Sequence, residues 1–356
     1  MTSPFSWAAT LNSLLERQDL SIAEAGKAME AVVAGEATDA QIAAFLVALR
    51  AKSETVDEVV GFRDAALRHA VALPIDPMVL DIVGTGGDPY GAVVNVSSIA
   101  SIVAAAAGVP VAKHGNRAAS SSSGASDILG ELGVNIDIEP ERVAEVFEEV
   151  GITYVNAAKF HPGFRHAATA RKEIGIPTVF NILGPLCNPA RPEASAVGVS
   201  NLARVPQMAG VFRTRGATAL VYRGDDGIDK MTTTGHTHVW EVSRGHIREH
   251  DINSVELGIA QARVEDLLGH GPEHNAALAR DVLAGSTGPV RDIVALNAAA
   301  GLVAFALAND PAQRDRSLLE RLAEKLELAY QAIDSGAAAS KLTEWARATQ
   351  SAGAGS

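Results

Sequence analysis

The sequence predicts an α/β protein: a small N-terminal helical domain, then a larger domain with a mainly parallel central sheet flanked by helices. Two observations lead there. The first seventy residues carry helix-start signals and no strand pattern. After residue 78, short apolar runs alternate with helical stretches, as in βαβ units. A chain of 356 residues is also too long for one small core, so two domains are expected.

The elements follow in order. Ser21-Ile22-Ala23-Glu24, Thr38-Asp39-Ala40-Gln41 and Thr55-Val56-Asp57-Glu58 each match the capping box. Apolar residues at helical spacing follow, such as Ile42, Phe45, Leu46 and Leu49. Gly35 is placed to end the second helix. Helices this short need a partner surface to bury their apolar stripes. Leu73-Pro74-Ile75-Asp76-Pro77 breaks the pattern and reads as a hinge. Strands are expected at 79–83, 109–113, 153–156, 194–199 and 217–222, with helices at 98–107, 124–132, 140–150 and 205–214. Residues 239–242 and 246–252, around Ser243-Arg244-Gly245, read as an appended antiparallel hairpin. Residues 275–283, 290–307 and 314–333 read as helices, and the Ser/Gly/Ala-rich residues 349–356 as a flexible tail. There are no internal repeats.

Composition narrows the function. Hydrophobic residues at 47 % and charged residues at 20 % are ordinary for a soluble globular protein. A net charge of −12 argues against nucleic-acid binding but not against a small anionic ligand, which a few local cations can hold. The lone cysteine, Cys187, rules out a disulfide within the chain and fits a reducing cytoplasm; it reads as a small buried apolar residue. Residues 1–12 lack the pattern of a signal peptide. The apolar runs 99–112 and 296–308 fall short of the ~20 residues of a membrane span and read as buried helices.

Four motifs carry chemistry. Asp81-Ile82-Val83 leads into Gly84-Thr85-Gly86-Gly87-Asp88, and Asn95-Val96-Ser97-Ser98 then opens a helix. A strand, a glycine loop and a helix N-terminus form an anion site, because free N–H groups and the helix dipole point the same way. The bland alternative is a tight turn without ligand. The second motif runs from Lys113-His114-Gly115-Asn116-Arg117 through a serine run, Ser120 to Ser123, at a strand end. Its cations, amide and hydroxyls suit a phosphate or pyrophosphate.

In the third motif His161-Pro162 precedes Arg171 by ten residues, and Asn181-Ile182-Leu183-Gly184-Pro185 and Asn188-Pro189 follow. This region is a hinge or the lining of a cleft, and the planar fork of Arg171 suits a carboxylate. The fourth places Asp225, Asp226 and Asp229 in one strand-end turn, a pattern that suits Mg²⁺ or a merely solvated acidic turn. His236 and His238 would share one strand face, but no third zinc ligand is evident in the sequence.

Taken together, and in this order, these motifs resemble the anthranilate phosphoribosyltransferase family, of the nucleoside-phosphorylase-like class. The match rests on Gly84-Thr85-Gly86-Gly87-Asp88, Asn95-Val96-Ser97-Ser98, Lys113 to Ser121, His161 to Arg171 and Asn181 to Pro189. The resemblance implies a Mg²⁺-dependent reaction of phosphoribosyl pyrophosphate with anthranilate, in tryptophan biosynthesis. It implies a homodimer joined through the helical domains, with no nucleic acid or membrane partner. The implied division is 1–72 with a later contribution from about 164–175, then 78–163 with 176–348, then the tail 349–356.

Roles follow from the same resemblance. Gly84, Gly87 and Asp88 would form the pyrophosphate loop. Asn95, Val96, Ser97 and Ser98 would hold phosphoribosyl pyrophosphate, with the Ser97 hydroxyl on Mg²⁺. Lys113, His114, Gly115, Asn116, Arg117, Ser120 and Ser121 would close over the phosphates. Gly84, Asn116 and Arg171 would contact anthranilate, Arg171 through the carboxylate, and Asp229 would hold a second Mg²⁺. No covalent nucleophile is implied; Asn116 or His114 would orient the amine.

Lys230 departs from the family's usual Asp-Glu pair, in which the Glu is a metal ligand. An ammonium repels Mg²⁺. Either Asp225 or Asp226 compensates, or Lys230 replaces one metal and touches pyrophosphate. Two other readings remain: a pyrimidine-nucleoside phosphorylase of the same class, and a catalytically idle relative.

Overall fold

Each of the three capping boxes begins a helix. Ser21, Thr38 and Thr55 accept from the N–H three residues on, and Glu24, Gln41 and Glu58 return the bond. The helices are α2 (Ile22–Val33), α3 (Asp39–Lys52) and α4 (Val56–Arg68), preceded by α1 (Trp7–Leu15). Gly35 takes φ of 76° just past α2, a left-handed end that favours glycine. The computed structural model describes residues 5–91, 93–117 and 123–351.

Among the described residues, seven strands form one sheet in the order β3-β2-β1-β4-β5-β6-β7. They are β1 (Leu80–Gly84), β2 (Val111–Gly115), β3 (Ile152–Asn156), β4 (Ala194–Gly198), β5 (Thr218–Gly224), β6 (His236–Ser243) and β7 (His246–Asn253). The first five run parallel, and β6 and β7 add antiparallel. β6 begins three residues before the expected hairpin strand because His236 to Val239 pair with β7 on one side, and most of them with β5 on the other. Strands β1 to β4 are almost wholly buried, as parallel strands covered on both faces are, and that burial includes Asp81, Lys113 and His114.

Helices α5 (Val96–Ala106), α6 (Ala125–Glu131), α7 (Pro140–Val150) and α8 (Ala157–Phe160) intervene up to the first half of the sheet. Then come α9 (Ala168–Ile174), α10 (Phe180–Leu183) and α11 (Val205–Arg215), and after the hairpin α12 (Pro272–Leu283), α13 (Pro289–Asn309), α14 (Leu318–Asp334) and α15 (Ala337–Ser351). α5, α13 and α14 bury Ile99, Leu296 and Leu322 against the Leu80 and Ile82 face of the sheet. The opposite face, with Val83, Val197 and Val221, shares a core with Phe45 and Phe62 of the N-terminal helices. That shared core is the partner surface the short helices need.

Two expectations are corrected. The apolar run near 296–308 belongs to a 21-residue helix, long and apolar enough to cross a bilayer, yet 72 % of its most apolar window is buried inside the fold. Residues 349–351 are not tail: they complete α15, and the Thr349 hydroxyl accepts from Asn135 N–H at 3.0 Å. The remaining tail positions, 352–356, lie outside the described residues. Helix α15 lacked a signal because Gly, Ala and Ser dominate residues 335–340.

Candidate active site

The strand order reverses between β1 and β4, so a crevice opens beyond their C-terminal ends. The glycine loop lies there. Gly86 and Gly87 have φ of 68° and 73°, the left-handed region that glycine enters without steric cost. Thr85 N–H donates to Gly198 O at 3.0 Å, and Ser200 Oγ donates to Gly86 O at 2.6 Å. Asp88 Oδ1 accepts from Tyr90 N–H at 3.1 Å and Gly91 N–H at 2.8 Å, which turns the chain toward α5. The loop is therefore held at both ends, while Gly86 and Gly87 stay exposed.

Helix α5 has Asn95 as N-cap but receives no side-chain cap from it. Asn95 is used elsewhere: Nδ2 donates to Ser123 O and Oδ1 accepts from Asn275 Nδ2, both at 2.9 Å. Val96 is buried, and the buried Ser98 hydroxyl has no hydrogen-bond partner among the described residues. Ser97 is half-buried and accepts from Lys113 Nζ at 3.3 Å. An uncapped helix start with spare hydroxyls suits an anion.

Lys113 belongs to β2, with its ammonium beneath the site, not to a loop able to close over phosphates. It is 1 % exposed and donates to Ile82 O at 2.8 Å. Burial pushes it down to about 8, opposed by the Asp81 and Asp229 carboxylates. Asp81 accepts from His114 N–H at 3.1 Å and from Asn188 Nδ2 at 2.9 Å. Burial raises the Asp81 carboxyl to about 6. Gly115 is required by packing, since a Cβ there would lie 2.9 Å from Ala125 Cβ. Asn116 and Arg117 are exposed, and Asn116 Oδ1 accepts from Arg117 N–H at 2.8 Å. Ser120 and Ser121 lie outside the described residues.

His114 Nδ1 is 2.8 Å from Gly184 O. A carbonyl only accepts, so Nδ1 carries the proton and Nε2 is a bare acceptor. Nε2 is buried without a partner among the described residues. Burial, with His161 next in effect, pushes His114 down to about 3, so its ring is neutral. His161 Nε2 donates to Cys187 O at 2.7 Å, and its ring stacks on Phe164 with centroids 4.8 Å apart. Phe164 meets Phe180 edge-on at 5.4 Å, and the Arg171 guanidinium lies 4.9 Å from the Phe180 centroid. This ladder of rings links the end of β2 to Arg171.

His161 and Arg171 are not on one helix; a 3₁₀ turn (Pro162–Ala167) separates His161 from α9. Arg171 is half-buried and pairs with no acidic side chain among the described residues. A cavity of about 130 Å³ separates the glycine loop from residues 177–182, and Arg50 and Arg204 also line it. A second cavity of equal volume, between α13 and α14, touches none of these residues. Cys187 is buried and its thiol is pushed up to about 12 by desolvation, which makes it inert.

The three carboxylates of the acidic turn do not converge. Asp226 accepts from the Thr232 and Thr234 hydroxyls, each at 2.6 Å, and from Ile228 N–H. Asp225 faces outward to His238, 3.3 Å away. Only Asp229 reaches the glycine loop: Oδ2 accepts from Gly86 N–H at 2.7 Å, and Oδ1 takes the Lys230 ammonium at 2.5 Å. Gly84 and Gly198 make room for it, because a Cβ at Gly198 would fall 1.7 Å from Asp229 O. As Mg²⁺ ligands, Ser97 offers a half-buried hydroxyl, whereas at Asp229 the Lys230 ammonium on Oδ1 opposes a second cation by charge. His236 and His238 share an exposed face and pair with Asp251. No group of three metal-ligating side chains is present among the described residues.

Sequence reasoning missed two supporting residues. Asn275 accepts from His270 N–H while holding Asn95, and Asn297 brackets Met231 through its N–H and C=O. Their only signal is an asparagine within an apolar helix, where it is a poor helix former.

Residues 8–70 match the family described as "Glycosyl transferase family, helical bundle domain", and residues 76–339 its "a/b domain" counterpart. Anthranilate phosphoribosyltransferase of Clavibacter michiganensis subsp. michiganensis is 65 % identical over 350 residues, covering 98 % of this chain and 100 % of that protein. The crystal structure of anthranilate phosphoribosyltransferase from Thermus thermophilus superposes with a TM-score of 0.86 at 40 % identity, covering 96 % of this chain and 99 % of that one. The Saccharomyces cerevisiae enzyme in complex with PRPP and Mg gives 0.86 at 27 % identity, with 98 % and 99 % covered. The chain belongs to the anthranilate phosphoribosyltransferase family and is a pentosyltransferase.

Proposed function

We propose that this chain transfers the phosphoribosyl group of phosphoribosyl pyrophosphate to the amine of anthranilate in the presence of Mg²⁺. The products are N-(5-phosphoribosyl)anthranilate and pyrophosphate, and the step belongs to tryptophan biosynthesis. The observation that carries this reading is the exposed glycine loop facing the uncapped start of α5 at the sheet's switch point. Relatives support the ligands: one Saccharomyces cerevisiae structure holds PRPP and Mg, and another holds 4-fluoroanthranilate.

The diphosphate lies against Gly84, Gly87 and Asp88 and the N-terminal turn of α5, Asn95 to Ser98. The Ser97 hydroxyl would hold Mg²⁺, which would supply positive charge to the leaving pyrophosphate. Lys113 adds a buried positive charge below that hydroxyl. Asn116 and Arg117 close over the phosphates. Anthranilate lies by Gly84 and Asn116 with its carboxylate on Arg171. The bare Nε2 of neutral His114 accepts an arylamine N–H and turns the nitrogen lone pair to the anomeric carbon. Alignment and charge stabilisation carry the reaction, because the amine is already neutral at pH 7.

The helical domain spans 1–72 with 164–175, and the α/β domain 78–163 and 176–351, to the end of α15. The 3₁₀ turn and α9 pack on α2 and α3, which supports that division. A cytoplasmic homodimer completes the reading. Exposed Leu15, Ile22 and Val47 on the N-terminal helices support a dimer contact there.

Steady-state kinetics of Arg171→Ala tests the assignment. Loss of the charge-assisted contact costs about 1.5–3 kcal/mol, so KM for anthranilate rises about tenfold or more while KM for phosphoribosyl pyrophosphate holds. Equal damage to both substrates contradicts the assignment.

A further inference from the structure

Positive charge at the glycine loop comes from the protein itself. The Lys230 side chain is 12 % exposed, and its ammonium sits 2.5 Å from Asp229 Oδ1 and 3.9 Å from Asp88 Oδ2. The Asp229 and Asp88 carboxylates thus face this ammonium at the glycine loop. An ammonium has three N–H donors, and the hydrogen bonds among the described residues use one, on Asp229. The same ammonium opposes a divalent ion at Asp229 by charge, since it sits on Oδ1 while Oδ2 accepts from Gly86 N–H. Asp225 and Asp226 cannot supply a replacement, since one faces His238 and the other is bound to Thr232 and Thr234.

We propose that Lys230 is a resident cation for the pyrophosphate group, donating to its oxygens where a second divalent ion would otherwise sit. The inference rests on the proposed use of phosphoribosyl pyrophosphate. It assigns the chain a single protein-bound divalent ion, at Ser97, and none at Asp229. Lys230 thereby sets both the affinity for the diphosphate and the metal count. The ammonium lies 3.9 Å from Asp88 Oδ2, on the loop to which the diphosphate is assigned.

Mn²⁺ is the probe, because its bound and free forms are separated by paramagnetic resonance. The count of Mn²⁺ per protomer is taken at saturating phosphoribosyl pyrophosphate, beside the Kd for that ligand. The parent protein is expected to hold one Mn²⁺, and Lys230→Glu two. Lys230→Met is expected to keep one and to weaken phosphoribosyl pyrophosphate about tenfold or more, the usual effect of losing a charged hydrogen bond. Two Mn²⁺ on the parent protein overturn the proposal without any variant. So does an unchanged Kd in Lys230→Met that melts like the parent. A folded parent that binds no phosphoribosyl pyrophosphate refutes the functional reading, and this inference with it, and is distinguishable from binding with two ions.

Discussion

Two buried histidines show how single residues tie this site to stability. His161 is 3 % exposed, and burial, its main cause, pushes its pKa from 6.5 to about 4. The unfolded chain therefore binds a proton that the folded chain refuses. Stability from this group is full above the unfolded value and is lost as pH falls through about 4. Between about pH 6.5 and 5, that amounts to about 2 kcal/mol. His161→Gln keeps a donor for Cys187 O but cannot titrate. Urea unfolding at about pH 7 and pH 5 should show a smaller acid loss in the variant than in the parent. An equal loss in both contradicts the assignment. The residue types of this ladder were legible in the sequence; the ring stack and the His114 tautomer were not, because both depend on contacts to Gly184 and Cys187 that arise only in the fold.

At the scale of elements, the site depends on strand ends that approach closely. β1 and β4 pair from Leu80 with Ala194 through Gly84 with Gly198, and both end in glycine. The segment carrying Asp229 crosses directly over these glycines. Gly198→Ala places a methyl group on Asp229 O, so the turn must move; the cost should be about 3 kcal/mol, at the upper end for overpacking. Gly130 is the control: it lies within α6, nothing lies within 4 Å of an added Cβ, and alanine there should be neutral or stabilise. Chemical denaturation of both variants checks this, and a Gly198→Ala protein as stable as its parent contradicts it.

Strand and helix order came readily from apolar runs and caps. Glycine at 84 was legible as a loop signal. Its need for space beside Asp229 was not, because 145 positions separate Gly84 from that residue in sequence and only the sheet order brings them together. The acidic turn misled for a related reason. Asp is equally at home as a ligand and as a turn acceptor, and Asp226 serves the Thr232 and Thr234 hydroxyls.

Across the whole molecule, the N-terminal helices and the sheet are joined by more than apolar contact. Glu54, between α3 and α4, pairs with Arg204 beyond β4, and both side chains are buried. Arg204 also lines the cavity beside the glycine loop. The helices therefore help fix one wall of the crevice whose opposite edge carries Gly86 and Gly87. The cleft combines that loop with an uncapped helix start, and Arg171, without an acidic partner among the described residues, is proposed to complete one site for two substrates. The most direct test mixes the purified protein with anthranilate, phosphoribosyl pyrophosphate and Mg²⁺ and follows anthranilate fluorescence. Loss of fluorescence that requires all three components is the predicted result. A folded protein that leaves the fluorescence unchanged across a broad range of Mg²⁺ would contradict it.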